Sequence, residues 1–281
     1  MTQKRANSLR HLDAAIRRAA QGQQDEYLRI RTLMANAVVS QMLPNGVLKG
    51  GSALKLRYGD KGTRFTTDLD AASESAPDAY ASELEATLRA GWEGFTGRIV
   101  AREPASPEGI PTSYVMRPFD IRLSYLDKPW CTVPLELGHN EIGDANEADL
   151  IEQTDAKRLF ELLGFPAPKR VRVMRLEHQV AQKLHAVTGP GDRVRDLIDL
   201  QIIEGNGPID LRKTRVTCER LFKYRNAQPW PPAVVTRDGW DDQYHAQAEG
   251  LPVLKTVDEA VAWTNRLIKR ISHADLKGEV G

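Results

Sequence analysis

The sequence predicts an α+β protein, with a mixed β-sheet and flanking helices in the first half and a mainly helical second half. Apolar and polar residues alternate over residues 119–125, as in a half-buried strand, and a turn at Asp127 leads into a second such strand. Apolar residues recur at helical intervals over residues 8–42 and again beyond residue 149. We therefore assign residues 1–143 to a sheet-containing domain and residues 144–281 to a helical domain.

The bulk composition is that of an ordinary globular protein. The chain has 281 residues, of which 41% are hydrophobic and 27% charged, and its formal net charge is +1. No apolar run approaches the length of a membrane span, and the first residues lack the apolar core of a signal peptide. We therefore expect a cytoplasmic protein without a membrane partner. Cys131 and Cys218 are isolated, which argues against a zinc site or a disulfide scaffold.

The near-neutral net charge conceals a regional split. Residues 136–155 contain seven acidic residues and no Lys or Arg, whereas residues 212–225 contain six basic residues and one Glu. A basic segment in an otherwise neutral protein is a candidate contact for a polyanion. The same composition is equally typical of a helix with a solvated basic face.

A glycine turn followed by two aspartates gives the first chemical signal. Gly-Gly-Ser at residues 50–52 precedes a short helix predicted at residues 53–58, and Asp68 and Asp70 lie on a predicted strand. Because side chains alternate along a strand, the two carboxylates project from the same side and are suited to Mg²⁺. Glycines before a helix N-terminus let backbone N–H groups approach a phosphate. Ser52 is expected to cap the helix or to contact a phosphate oxygen.

A lysine followed by an Arg-Asp-x-x-Asp segment gives the second signal. Lys183 lies on a predicted helix, and the segment at residues 195–199 lies on the next one. A lysine supplies a mobile positive charge for a triphosphate oxygen, and Asp196 can orient it or assist an incoming hydroxyl. A helix pair joined by ion pairs would show the same pattern. With the glycine turn and the paired aspartates in the same chain, we favour the catalytic interpretation.

The amino-acid sequences of these segments resemble those of a known family. The matching stretches are Leu-Lys-Gly-Gly-Ser-Ala-Leu at 48–54, Arg-Phe-Thr-Thr-Asp-Leu-Asp at 64–70 and Arg-Val-Arg-Asp-Leu-Ile-Asp-Leu at 193–200. They resemble the AbiEii/AbiGii-type nucleotidyltransferase toxins of prokaryotic type IV-like toxin–antitoxin systems, in the polymerase-β-like nucleotidyltransferase superfamily. The resemblance runs from about residue 43 to the C-terminus. One departure from the family is the spacing between Ser52 and Asp68, which at fifteen intervening residues is longer than the compact family spacing. The additional residues fall at 59–62, where a surface loop can accommodate them.

The resemblance implies a polymerase-β-like N-terminal domain, a helical domain that completes the active site, and an NTP bound with Mg²⁺. The carboxylates implied as metal ligands are Asp68, Asp70 and Glu136. The residues implied to bind the nucleotide are Gly51, Ser52, Arg64, Lys183, Arg193 and Arg195. The residues implied as catalytic are Asp68, Asp70, Lys183 and Asp196.

The third acidic ligand has two candidates. Asp120 and Glu136 both lie on the polar face of an alternating strand, so periodicity does not separate them. We favour Glu136 because Leu-Glu-Leu at residues 135–137 resembles the apolar-Glu-apolar element of the family.

The resemblance also implies the acceptor and the partners. The acceptor is the 3′ end of tRNA, whose modification blocks translation, and a cognate antitoxin is encoded nearby. The basic segment at residues 212–225 is the expected docking site for the acceptor stem. Thr66 and Thr67 are candidate phosphorylation sites, since a phosphate there would repel the carboxylates and the NTP. The alternatives are a nucleotidyltransferase acting on a small molecule or a protein hydroxyl, and a non-catalytic NTP- or RNA-binding module.

Overall fold

A computed structural model describes residues 5–104 and 115–275. One compact unit comprises the described residues up to Asp60 together with Phe65–Val173. The other comprises Lys61–Arg64 and the described residues from Met174 onward.

The first unit contains five of the described helices and a seven-stranded mixed sheet. The helices are α1 (Leu9–Ala19), α2 (Gln24–Ser40), α3 (Gly50–Tyr58), α4 (Pro77–Ala90) and α5 (Thr154–Leu162). The strands are β1 (Val47–Lys49), β2 (Leu69–Ser73), β3 (Phe95–Ala101), β4 (Arg117–Tyr125), β5 (Lys128–His139), β6 (Ala148–Ile151) and β7 (Val171–Met174), of which the last residue, Met174, belongs to the second unit. Their order across the sheet is β3-β4-β5-β2-β1-β7-β6, with β2 parallel to β5 and β1 parallel to β7.

One face of this sheet forms the core of the first unit. Leu69 pairs with Leu135, and Ala71 pairs with Leu137. These residues belong to a buried apolar cluster that also includes Leu12 of α1 and residues of α2 and α4. Because side chains alternate along a strand, the residues between them project from the opposite face. That opposite face carries the polar residues of β1, β2 and β5.

The sheet extends further along the chain than the sequence pattern predicted. Strands β6 and β7 complete one side of it, so residues 144–173 belong to the first unit, and the units divide between Val173 and Met174 rather than after Gly143. Both strands have only four residues, too few for a sequence pattern to identify them. Pairing between Leu48 and Val173, which are far apart in the chain, defines this side of the sheet.

The second unit is helical, as predicted. It contains α6 (Leu176–Thr188), α7 (Arg195–Gly205), α8 (Leu211–Arg225), α9 (Trp240–Ala248) and α10 (Val257–Ser272). Helix α7 is buried from Asp196 to Ile203, which is typical of a helix surrounded by others. The α+β fold class, with a mixed sheet followed by helices, is confirmed. Over residues 5–104 and 115–275, no helix is both long and apolar enough to cross a membrane.

Candidate active site

The turn between β1 and α3 brings a carboxylate against a glycine. Gly50 has φ +64°, a conformation that disfavours residues with a Cβ. A Cβ built on Gly50 would lie 2.0 Å from Oδ2 of Asp70. Only a glycine at this position lets the Asp70 carboxylate pack against the backbone at the start of α3.

Helix α3 begins at Gly50, three residues earlier than predicted. Its N-cap residue is Lys49, whose side chain makes no capping hydrogen bond. The first backbone N–H groups of a helix have no intrahelical acceptor and carry partial positive charge. Gly50, Gly51 and Ser52 therefore present N–H groups suited to an anion at the end of α3 near Asp70.

Ser52 links α3 to β2. Its hydroxyl donates a hydrogen bond to the Lys49 carbonyl oxygen at 3.0 Å and accepts one from the Asp70 backbone N–H at 3.4 Å. The side chain is buried, with 4% exposed. Ser52 is therefore not the N-cap residue, and its hydroxyl proton is engaged within the protein.

Acidic side chains lie next to one another on the polar face of the sheet. Asp70 of β2 is in register with Glu136 of the parallel strand β5, and neighbouring strands are about 4.8 Å apart. Asp68 immediately precedes β2, and its Oδ1 accepts a hydrogen bond from Thr66 Oγ1 at 2.5 Å. Thr66 is buried, whereas Thr67 is exposed.

This arrangement fits a magnesium ion that completes its coordination with substrate. Two carboxylates side by side repel each other unless a cation or proton lies between them. In the described ranges, no three His, Cys, Asp or Glu side chains form a ready ligand group. Mg²⁺ commonly takes one or two carboxylates together with substrate phosphates and waters, so Asp70 and Glu136, with Asp68 beside β2, suit it.

The sheet register separates the two candidates for the third carboxylate. Asp120 lies on β4, opposite Pro134, one strand further from β2 than Glu136. Its Oδ1 is 3.2 Å from Nε of Arg102 in an ion pair. Glu136 is therefore the carboxylate that neighbours Asp70.

A buried charge network surrounds Lys183 in the second unit. Nζ of Lys183 lies 3.0 Å from Oδ1 of Asp196 and 2.5 Å from Oδ2 of Asp199. Arg64 binds both carboxylate oxygens of Asp199, at 2.9 and 3.2 Å. Nε of Arg193 lies 2.7 Å from Oδ2 of Asp196. We name these five residues the Lys183 network.

The network keeps Asp196 ionised. Burial alone would raise the pKa of Asp196, which has 0% of its surface exposed, but the charges of Lys183 and Arg193 bring that pKa below its usual value. Both of its oxygens are bound by cations. A carboxylate with a lowered pKa and no open oxygen accepts a proton poorly. Asp196 is therefore better suited to orienting Lys183 than to removing a proton.

The three arginines predicted to bind the nucleotide differ in their contacts. Arg64 and Arg193 both belong to the Lys183 network. Arg195 is exposed at the first residue of α7 and is not part of it. Asp199 was not among the residues predicted for the site. Its spacing of three residues from Asp196 on one helix was the available signal.

A second ion-pair cluster supports the segment before Asp68. Nζ of Lys55, on α3, lies 2.7 Å from Oδ1 of Asp60 and 3.3 Å from the Thr66 carbonyl oxygen. Nε of Arg29 lies 2.9 Å from the other oxygen of Asp60. Burial works against ionisation of Asp60, but Lys55 and Arg29 outweigh it and lower its pKa. Asp60, which lies in the longer loop at residues 59–62, is thus anchored to α2 and α3.

A mixed sheet that places a glycine turn and helix N-terminus beside paired carboxylates is the arrangement of a nucleotidyltransferase. A family model described as the nucleotidyl transferase AbiEii toxin of type IV toxin–antitoxin systems matches residues 31–264. The chain belongs to this AbiEii family of nucleotidyltransferase toxins.

Solved structures of similar proteins include two bacterial chains. MenT4, a nucleotidyltransferase toxin from Mycobacterium tuberculosis H37Rv, is 20% identical, with coverage of 92% of this chain and 97% of MenT4 and a TM-score of 0.46. JHP933 from Helicobacter pylori is 17% identical, with coverage of 87% of this chain and 91% of JHP933 and a TM-score of 0.43. No curated protein sequence matches this chain significantly.

Proposed function

We propose that this toxin transfers a nucleoside monophosphate from an NTP to the 3′ end of tRNA and thereby blocks translation. The acceptor hydroxyl releases its proton to solvent and its oxygen forms a bond to the α-phosphorus. The bond between the α-phosphorus and the oxygen that bridges to the β-phosphate breaks, and pyrophosphate leaves. The observation that carries the proposal is the register of Asp70 with Glu136 beside the N-terminus of α3.

In this proposal the first unit binds the reacting phosphates. The N–H groups of Gly51 and its neighbours bind phosphate oxygens, and Ser52 fixes the start of α3 against β2. Asp68, Asp70 and Glu136 would hold Mg²⁺, which supplies charge neutralisation for phosphoryl transfer. Thr66 orients Asp68 through its hydroxyl.

We assign the Lys183 network to the same reaction. Lys183 would bind a phosphate oxygen, and Asp196 would orient it, as the pairing of both Asp196 oxygens supports. Arg64 and Arg193 hold the two aspartates in place and leave the network with an excess of one positive charge, from three cations and two carboxylates. An excess of positive charge favours a polyphosphate ligand.

Helix α8 is the proposed docking surface for tRNA. Arg212, Lys213, Arg220 and Lys223 are exposed on this helix. Tyr224 is also exposed, at 43%, and aromatic side chains can stack on unpaired bases. The family supports a toxin role with an antitoxin partner, and the exposed charge of α8 supports an RNA acceptor.

The test is incorporation of α-labelled nucleotide into purified tRNA, with each of the four NTPs in turn and with Asp68→Asn as the inactive control. We expect label in tRNA that is lost on RNase digestion and absent with the variant. Label that survives RNase, or that enters a protein, would show a different acceptor. No incorporation with any NTP in the presence of MgCl₂ would reject the proposal.

A further inference from the structure

Lys49 is a buried cation beside the carboxylates. It has only 9% of its surface exposed and lies on β1, in register with Asp70. Directly paired residues on neighbouring strands project from the same face of a sheet. Lys49, Asp70 and Glu136 therefore form one row across three strands, on the polar face.

A glycine on β5 leaves room for the Lys49 ammonium. A Cβ built on Gly138 of β5 would lie 2.5 Å from Nζ of Lys49. Gly138 is two residues beyond Glu136, so it shares the same face of the strand. The lysine side chain therefore crosses the polar face toward β5, and the missing side chain at Gly138 provides the space for its ammonium.

Lys49 lacks a protein counter-ion. Across residues 5–104 and 115–275, no hydrogen bond or ion pair is formed by its ammonium, although Asp70 and Glu136 share its row. This contrasts with Lys55 and Lys183, whose ammonium groups each lie within 3.0 Å of a carboxylate oxygen. The Lys49 side chain is thus largely buried and its ammonium has no ion pair, so an anionic ligand would supply the missing partner.

We propose that Lys49 binds a phosphate oxygen of the triphosphate chain of the NTP. The inference rests on the proposed nucleotidyl transfer and adds a residue to its phosphate site. The ammonium lies beside Gly138 of β5, the strand that pairs with β2. The Asp70 carboxylate of β2 contacts the start of α3, where backbone N–H groups also favour an anion. Lys49 thus supplies a full positive charge where the helix supplies partial charges.

The experiment measures binding of inorganic tripolyphosphate by titration calorimetry, with MgCl₂ present. We expect Lys49→Met to lower the affinity at least about tenfold, because a hydrogen bond to a charged group is lost. Lys49→Arg keeps the charge and should bind more tightly than Lys49→Met. Gly138→Ala leaves the lysine in place but displaces its ammonium, so it should also weaken binding. Gly205→Ala, where an added Cβ meets no atom within 4 Å, is the matched control.

Thermal unfolding separates this role from a structural one. Without ligand, Lys49→Met should unfold at a temperature no lower than wild type, because the Lys49 ammonium forms no ion pair that the change would break. Tripolyphosphate should raise the unfolding temperature of wild type more than that of the variant. Unchanged affinity in both Lys49→Met and Gly138→Ala would overturn the inference. If Lys49→Met does not fold, unchanged affinity in Gly138→Ala decides against it.

Binding of tripolyphosphate does not involve the acceptor, so it tests the role of Lys49 separately from transfer to tRNA. Lys49-dependent tripolyphosphate binding without transfer to tRNA would reject the proposed function and keep the inference. Transfer to tRNA, together with tripolyphosphate binding that does not depend on Lys49, would support the proposed function and reject the inference.

Discussion

Asp70 and Glu136 lie directly opposite each other on the parallel strands β2 and β5, on the face of the sheet away from the apolar core. The pairing is possible because β5 follows β4 through a tight hairpin, with positive φ at Leu126 and Asp127, and then lies beside β2. Two carboxylates in register on adjacent strands are the strongest structural sign of a cation site in this unit.

The first prediction concerns the third carboxylate. Glu136→Gln should reduce nucleotidyl transfer at least about 100-fold, because it removes a proposed metal ligand while keeping the side-chain shape. Asp120→Asn, the matched control on β4, should leave the rate close to wild type. Initial rates at saturating NTP and MgCl₂ are the measurement. The reverse ranking would identify Asp120 as the ligand.

The second prediction concerns Gly50. Gly50→Ala should lower the free energy of unfolding by about 1–2 kcal/mol, because alanine disfavours positive φ, and should also reduce transfer by displacing the Asp70 carboxylate. Urea unfolding and initial rates measure the two effects. Gly205→Ala, in an open helical position, should lower neither. Wild-type activity in Gly50→Ala would mean that the contact with Asp70 is unimportant.

The third prediction concerns coupling within the Lys183 network. Lys183→Met should cost about 3–5 kcal/mol of unfolding free energy, because it removes one partner of a buried pair. The double variant with Asp199→Asn should cost less than the sum of the two single variants, since the residues are in direct contact. A double-mutant cycle in urea measures the difference. Additive costs would show that the two charges do not stabilise each other.

The fourth prediction concerns acid stability. The pKa values of Asp60 and Asp196 are lowered from 3.8 in the folded protein, so near that pH the unfolded chain binds more protons than the folded one. Their contribution to stability is complete above 3.8 and is lost as the pH falls through the lowered values. Asp196→Asn should therefore lose less stability than wild type between pH 5 and about pH 3. Urea unfolding across this range measures it, and equal losses would contradict the assignment.

The fifth prediction concerns the proposed tRNA surface. Lys223→Ala on α8 should weaken tRNA binding and lower the slope of log affinity against log salt by about 1, because one phosphate contact is lost. Arg10→Ala, at an exposed arginine of α1, is the control and should change neither. Filter binding over a series of salt concentrations provides both values. An unchanged slope would remove Lys223 from the tRNA contacts.

The local elements of this protein followed from short-range sequence patterns. The alternation at Phe119, Ile121, Leu123 and Tyr125 predicted the buried face of β4, and all four side chains are buried. The helical spacing over residues 8–42 corresponds to α1 and α2. Such features depend on neighbouring residues, so a single sequence contains their signal.

Pairings between distant segments needed the tertiary structure. The sequence contained both Asp120 and Glu136 on similar strands, and only the strand order placed Glu136 beside Asp70. The division of the chain after Val173 likewise depends on β7 joining the sheet beside β1.

The sequence by itself determined the family, the paired aspartates, the glycine turn and the lysine with its aspartate, because these signals are residue types at fixed spacing. The tertiary structure decided which charges are paired and which are not. Arg64 and Arg193 bind the buried aspartates of the Lys183 network, while Lys49 is buried beside two carboxylates without an ion pair in the described residues. Burial and partner distance decide the role of a charge, and both depend on segments that meet only in the folded chain.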